Sequence, residues 1–339
     1  MTQKPLKRLL LKLGTKCNLS CPHCHQVQKH FKEHPGLIDW IKEQRFDQIT
    51  FSGGEPLMYF DIIKRIMVAV GKDTVYRMMS NGTLLSDEIV EFFNEYHVKY
   101  AISYDGVNGG RDLTVPIRWD KAKNLKRCGT CAIFSTPTFS FREYAKDIEK
   151  VCKSTGFSSW TDPEFLNIGW IHQTPDAPNK EFTKETADSF IEQVANQIDK
   201  SLYCWSQNQL NSFTLKSNIR RWYEKRKTVH GTFCCNEALI SVNLDGTIMQ
   251  CPYGTRVIGT IDNMPSMELL DSFVPEKCKH CEFWDICHCS CVASITELDC
   301  YVNRTMIPRV KELIKKYDLE DRVEELFNQK PSKTNYSTH

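Results

Sequence analysis

Three cysteines stand close together near the start of the 339-residue chain, as Cys17-Asn-Leu-Ser-Cys21-Pro-His-Cys24. Three thiolates on one tight loop can hold three corners of a cubic iron–sulfur cluster, for which four protein thiolates are the usual complement. One iron would then be open, and an open position on a metal is where chemistry takes place. A zinc site or chance spacing is the plainer alternative for the loop alone. Further on comes Thr50-Phe51-Ser52-Gly53-Gly54-Glu55-Pro56. Glycines let a ligand approach the backbone closely, and the Glu55 carboxylate can accept a charged hydrogen bond from an ammonium group. Gly-Gly-Glu by itself is common in turns; after a C-x3-C-x2-C loop it is informative.

The C-terminal third carries a second group of thiols. Cys234 and Cys235 precede Ile240-Ser-Val-Asn-Leu-Asp245-Gly246-Thr-Ile-Met-Gln-Cys251, which reads as a strand, an Asp-Gly turn, a strand and a cysteine. Then follow Cys278-x2-Cys281-x5-Cys287-x3-Cys291 and finally Cys300. A zinc ribbon would explain one C-x2-C pair but not the whole set.

Together these motifs resemble the radical S-adenosylmethionine (SAM) superfamily with its C-terminal SPASM extension, over about Leu9 to Cys300. The resemblance implies that Cys17, Cys21 and Cys24 bind a 4Fe–4S cluster whose open iron is chelated by SAM. Gly53, Gly54 and Glu55 would hold the SAM amino group. One electron from the cluster would cleave the sulfonium and release a 5′-deoxyadenosyl radical. The residue after the third cysteine is usually Tyr or Phe, stacked near adenine; here it is His25, also planar. Two auxiliary 4Fe–4S clusters are implied in the extension, three clusters in all. Cys278, Cys281, Cys287 and Cys300 would bind the outer one, and Cys235, Cys251 and Cys291 the inner one. The inner cluster often has a fourth cysteine a few residues upstream, and the nearest candidate here is the adjacent Cys234. Either Cys234 replaces Cys235, or both ligate, or one iron is open to substrate. Cys289 is expected to be spare.

Positioning these motifs requires a scaffold, and the first half of the chain reads as a βα array. Strands are expected at Leu9–Leu13, Gln48–Phe51, Thr74–Met79, Tyr100–Ser103, Cys131–Ser135 and Phe165–Trp170, with helical patterns such as Phe60–Val70, Ser86–Tyr96 and Phe141–Ser154 between them. Alternating elements favour a parallel sheet with right-handed crossovers. The fold class is α/β, and six units suit the partial (β/α)6 barrel that the resemblance implies, followed by a small cysteine-rich SPASM domain with a β-hairpin and a C-terminal helix. The expected organisation is a barrel over 1–180, a helical bridge over 181–230, the auxiliary-cluster domain over 231–305, an amphipathic helix over 306–328 and a disordered tail over 329–339.

In parallel βα folds, ligands gather at the C-terminal ends of strands. Ser80-Asn81-Gly82-Thr83 follows the third strand and Ser103-Tyr104-Asp105-Gly106 the fourth, so four polar motifs share one rim. Ser80, Asn81 and Ser103 are expected to contact SAM, with Arg111 a partner for its carboxylate and Arg118 a competitor. Tyr104 and Asp105 are weak acid–base candidates, and Glu164, His172 and Tyr253 could also line the cavity. Cys128 and Cys131 are expected at the opposite, N-terminal end, with Cys128 closing a helix over Asp120–Arg127, Gly129 capping it and Cys131 opening a strand. Cys152 and Cys204 read as structural.

The formal net charge is +2, which makes no electrostatic case for nucleic acid or an anionic membrane. No apolar run approaches the ~18 residues of a membrane span, and the short apolar patch at Leu9–Leu13 is not a secretory signal. Sixteen cysteines in an expected cytoplasmic protein argue for metal or redox chemistry rather than disulfides.

The resemblance implies a radical SAM enzyme that abstracts hydrogen from a substrate, most often a ribosomally made peptide or protein side chain that is cross-linked, epimerised or oxidised. Pro252 follows the G-x4-C cysteine where sulfatase-maturing members carry an Asp base, which lowers that subfamily. The chain begins almost at the first strand, so a leader-peptide-binding domain is expected to be absent or supplied by a separate protein. A small molecule such as a sugar or amino acid is therefore the second reading. A non-catalytic iron–sulfur electron-transfer protein is the third, and it leaves the Gly-Gly-Glu motif without a purpose. A flavodoxin- or ferredoxin-type reductant is implied as partner.

Overall fold

The computed structural model describes residues 8–24, 31–134, 136, 138–158, 168–170, 183–225, 239–249, 257–265, 278, 280–287 and 297–328. His25, Glu164, His172, Cys234, Cys235, Cys251, Pro252, Tyr253, Cys289, Cys291 and the tail over 329–339 lie outside the described residues.

Six strands form a parallel array: β1 (Arg8–Lys12), β2 (Gln48–Ser52), β3 (Val75–Ser80), β4 (Lys99–Ser103), β5 (Cys128–Phe134) and β6 (Ile168–Trp170). Between them run α1 (Leu37–Gln44), α2 (Phe60–Val70), α3 (Asp87–Glu95), the single turn α4 (Trp119–Ala122) and α5 (Phe141–Thr155). Period-two alternation sorts the strand residues onto two faces. Leu9, Leu11, Ile49, Phe51, Tyr76, Met78, Tyr100 and Ile102 are buried on one. Aromatic contacts such as Tyr76 with Tyr96 and Phe93 with Tyr100 seal it beneath α3. The other face is partly open, with Leu10, Thr50, Arg77 and Lys99 aligned in one row across β1 to β4.

The expectations for the first four strands agree with the structure to within a residue or two; of the sixth, Phe165–Trp170, residues 165–167 lie outside the described residues; the fifth differs informatively. β5 begins at Cys128, so Cys128 and Gly129 pair with Tyr100 and Ala101 in the ladder instead of ending a helix. The preceding helix is only α4, and Cys128 is buried on the helix-covered face. Ladder hydrogen bonding and burial override the capping tendency of an isolated Gly.

Two helices, α6 (Lys184–Ser206) and α7 (Ser212–Tyr223), come next in the chain. Then comes a three-stranded meander, β7 (Leu239–Asn243), β8 (Thr247–Met249) and β9 (Val257–Thr260). Its first turn has Gly246 at φ +79°, and Asp245 Oδ1 accepts from the Thr247 amide at 3.0 Å. The sequence did not reveal that β7 pairs in parallel with β1, from Arg8↔Leu239 to Lys12↔Asn243. The hairpin therefore continues the barrel sheet, giving the order β6-β5-β4-β3-β2-β1-β7-β8-β9.

The amphipathic pattern at the C-terminus is two helices, α8 (Glu297–Lys316) and α9 (Glu320–Asn328). Asp318 adopts φ +54°, with Asp318 N–H donating to Lys315 O and Leu319 N–H to Ile314 O. These are the two bonds of a Schellman stop, and burial of Leu319 fixes the turn. α8 packs on α6 and α7, with Tyr301 Oη donating to Asp188 Oδ1 at 2.6 Å. No helix among the described residues is long and apolar enough to cross a membrane.

Phe190 of α6 meets Phe134 of β5 edge-on at 5.2 Å and is fully buried, tying the helical layer to the barrel. Phe190→Ala is expected to lower stability by about 3–5 kcal/mol, read as a shift of the urea midpoint.

Candidate active site

Two loops at the C-terminal ends of β1 and β2 are locked together through their backbones. Gly54 N–H donates to Gly14 O and Glu55 N–H to Lys16 O, both at 2.9 Å. A Cβ on Gly53 would lie 2.3 Å from Gly14 O, and one on Gly54 would lie 2.4 Å from the Thr15 and Lys16 carbonyls. The immediate need for both glycines is therefore contact with the cysteine loop, not only access for a ligand.

Glu55 is 1% exposed. Its Oε1 accepts from Leu57 N–H at 2.9 Å and from Ser80 Oγ at 2.7 Å, and its Oε2 accepts from Asn81 N–H at 2.8 Å. A carboxylate has about four acceptor positions, so one on Oε2 is left after these bonds. Burial pushes the Glu55 carboxyl up, and the donors from Asn81, Leu57 and Ser80 oppose it. Ser80 Oγ also accepts from Gly82 N–H at 3.0 Å, so the Ser80 hydroxyl is turned inward and orients Glu55.

Cys17 and Cys21 are half-buried and Cys24 is exposed. Burial pushes the Cys17 and Cys21 thiols up, and their closeness to other acidic groups adds to the rise. Main-chain amides oppose the rise: Leu19 N–H lies 3.4 Å from Cys17 Sγ, and the Asp112 amide acts on Cys21. Ser20 N–H donates to Asp112 Oδ2 at 2.8 Å, tying the cysteine loop to the β4 loop. Among the described residues, no three His, Cys, Asp or Glu side chains converge to hold a single ion. Three thiols on one loop, with amide donors on two of them and the Arg111 guanidinium near Cys21, fit an anionic cluster.

The sequence did not single out His23, which is buried together with Asp105 and Arg111. Asp105 Oδ1 accepts from Ile133 N–H at 2.8 Å and from Arg111 Nη2 at 3.3 Å. Arg111 Nε lies 3.1 Å from Asp105 Oδ2 without hydrogen-bond alignment, and His23 Nε2 lies 3.5 Å from the same oxygen. Burial works against the Arg111 charge, but Asp105 together with the nearby Cys21 and Cys131 outweighs it, so its pKa is raised. Burial lowers the His23 pKa against the attraction of Asp105. Asp105 is thus committed to holding three elements together. Arg118 pairs instead with Asp120 on the surface, leaving Arg111 as the arginine of the site. Tyr104 packs edge-on against Trp119 and beside Tyr144 in the aromatic core, its pKa pushed up to about 12 by burial.

Cys131 is corrected in position. β5 starts early, so Cys131 is its fourth residue and pairs with Ser103 at the end of β4. Its Sγ lies 3.8 Å from Ser103 Oγ and feels Arg111 and Asp105. It belongs to the same end as the cysteine loop, whereas Cys128 is buried among the helices. Asn18 and Thr83 were given no role although both lie inside the quoted motifs; both contact Asn81. In the C-terminal region, Cys278 and Cys281 share a turn, Cys281 N–H donating to Cys278 O at 3.2 Å. Cys287 follows in the same turn-rich segment, and Cys300 lies in the first turn of α8.

Residues 11–154 match the model of the Radical SAM superfamily. An AdoMet-dependent heme synthase of Oleidesulfovibrio alaskensis is 30% identical over 42% of this chain and 42% of its own. A cysteine-type anaerobic sulfatase-maturating enzyme of Clostridium novyi is 20% identical over 85% of this chain and 88% of its own. The chain spans less than half the length of the curated relatives it matches at 30–32% identity. Among solved structures, native anSMEcpe with bound AdoMet superposes with a TM-score of 0.65 at 17% identity, covering 92% of this chain and 99% of that one, which shows a shared fold.

The loop contact yields a direct test. Gly54→Ala places a methyl against the Thr15 and Lys16 carbonyls and is expected to cut iron uptake on reconstitution severalfold. Iron content measured beside far-UV circular dichroism separates loss of the loop from loss of the fold.

Proposed function

Residues 11–154 form a radical SAM domain in an SPASM-type chain, and from that premise we propose an enzyme that modifies a peptide or protein side chain by hydrogen abstraction. The family implies a 4Fe–4S cluster and SAM. Cys17, Cys21 and Cys24 would hold that cluster, and Glu55 would accept from the SAM amino group at the acceptor position left on Oε2. When bound, the pair supplies one-electron cleavage of the SAM sulfonium and a 5′-deoxyadenosyl radical. The protein's own part is positional. The Gly53–Glu55 turn fixes the cysteine loop, Ser80 and Asn81 aim Glu55, and Asp105 holds Arg111 charged beside Cys21. The observation that carries the proposal is this single buried carboxylate, braced by three donors and bound through its own amide to the cysteine loop.

The peptide reading draws support from the sulfatase-maturating relative, which spans most of both chains. The heme synthase relative favours a small molecule as second reading, over the N-terminal part alone. We assign two auxiliary clusters to the C-terminal cysteines: Cys278, Cys281, Cys287 and Cys300, and Cys235, Cys251 and Cys291 with Cys234 adjacent. The reductant is a flavodoxin- or ferredoxin-type protein.

The test is anaerobic. The reconstituted protein is reduced, given SAM, and assayed for 5′-deoxyadenosine beside Cys24→Ala. Product in the parent and none in the variant is expected. Zinc in place of iron, with no product, overturns the proposal. Adding candidate precursor peptides and tetrapyrroles separates the two substrate readings by which one accelerates turnover.

Glu55→Gln keeps one acceptor oxygen but sets an amide N–H₂ against the Asn81 N–H. Loss of a hydrogen bond to a charged group is worth about 1.5–3 kcal/mol, so SAM is expected to bind at least tenfold more weakly by calorimetry. An unchanged affinity would remove Glu55 from the SAM site.

A further inference from the structure

Asn81 was expected to contact SAM, and within the protein its side chain makes a set of contacts of its own. Its Oδ1 accepts from Thr83 N–H at 3.0 Å and from Thr83 Oγ1 at 2.7 Å. Its Nδ2 donates to Asn18 Oδ1 at 2.8 Å and to Cys17 Sγ at 3.8 Å. Asn18 Nδ2 in turn donates to Thr83 Oγ1 at 2.8 Å. Asn18, Thr83 and Asn81 thus form a closed ring in which each side chain donates to the next.

This ring removes the usual ambiguity of an amide. A main-chain N–H can only donate, so Thr83 N–H requires the oxygen of Asn81 to face it. Turning the amide over would set its N–H₂ against the Thr83 main-chain N–H and break the bond to Asn18. With one hydrogen on Asn18, the second hydrogen of Nδ2 is left for the Cys17 sulfur. Asn81 and Thr83 are 6% and 7% exposed, so water competes little for these bonds. The main chain of Asn81 meanwhile donates to Glu55. One residue therefore braces the carboxylate with its backbone and addresses a cysteine sulfur with its side chain.

We propose that Asn81 is a positioning residue that raises the reduction potential of the cluster held by Cys17, Cys21 and Cys24, through its N–H on the Cys17 sulfur. The inference rests on the cluster assignment above. Reduction adds negative charge that spreads onto the sulfurs, so an N–H donor stabilises the reduced form more than the oxidised form. Leu19 N–H acts on the same sulfur from its own loop. The Asn81 donor comes from β3 and is present only when the two loops are correctly docked.

The experiment is an EPR-monitored redox titration of the full chain, with the relevant cluster identified by the change of its signal on adding SAM. The parent is compared with Asn81→Ala, which removes the donor without adding charge, and with Asn81→Asp, which places a carboxylate oxygen there. Thr83→Val is the control, because its main-chain N–H still aims Asn81. At equal iron content, both Asn81 variants are expected to lower the potential. The reduced-to-oxidised ratio should fall about threefold or more at the parent's midpoint, since the effect is that of one hydrogen bond. Thr83→Val should move it less. Pulsed EPR after exchange into D₂O should show an exchangeable deuteron that Asn81→Ala lacks. An unchanged potential, or an equal shift in Thr83→Val, overturns the inference while leaving the cluster assignment standing. A parent with no iron–sulfur signal overturns both, and Asn81 variants that lose only this cluster while the parent retains the Asn81 deuteron support the positioning role.

Discussion

Everything at this site depends on one close backbone contact. The turn at Gly53–Glu55 lies so near the loop at Gly14–Lys16 that a Cβ at either glycine would meet a carbonyl oxygen. Two amide-to-carbonyl bonds hold the loops at that distance. Both loops follow adjacent parallel strands, β1 and β2, whose register Lys12↔Ser52 delivers them side by side. The cysteine loop has no regular secondary structure of its own. Its shape is borrowed from the β2 turn, and a small change in that turn is transmitted to all three thiols.

The second constraint is charge in a dry setting. Glu55 and Asp105 are buried carboxylates, and a buried polar group is costly unless it is hydrogen-bonded. Each is answered by donors from a neighbouring strand. Ser80 and the Asn81 amide come from β3 to Glu55; Ile133 from β5 and Arg111 from the loop after β4 come to Asp105. A buried charge that is paired and hydrogen-bonded is expensive to disturb. The two carboxylates therefore act as pins that join β2 to β3 and β4 to β5 at the same end of the sheet.

The C-terminal half contributes to the same architecture. β7 lies along the full length of β1, so the strand that launches the cysteine loop has a partner on each side. That makes β1 an interior strand and removes the edge from which the loop could otherwise slip. α6, tied to β5 by Phe134 and Phe190 and to α8 by Asp188 and Tyr301, closes the helical layer behind it.

Much of this was legible in the sequence. Alternating apolar runs placed the first four strands within a residue or two, and the spacing of Cys17, Cys21, Cys24 and Glu55 marked the site, because spacing along a loop limits which groups can share a ligand. Covalent spacing and periodicity are local properties, and a sequence carries them whole. Atom-level roles were not local. The sequence placed Ser80 on the rim, and only the fold shows that its hydroxyl is turned under Glu55. Cys131 was expected at the far end and stands opposite Ser103. The β7 strand was expected in a separate domain's hairpin and pairs with β1. His23 sits within the motif itself, and what it meets, Asp105 and the Gly110 backbone, lies far along the chain. By itself the sequence determined which residue types stand near one another along the chain, and so the chemistry on offer. Tertiary structure alone decided which of their atoms remain available, because each buried donor or acceptor is satisfied by whichever distant strand the fold brings beside it.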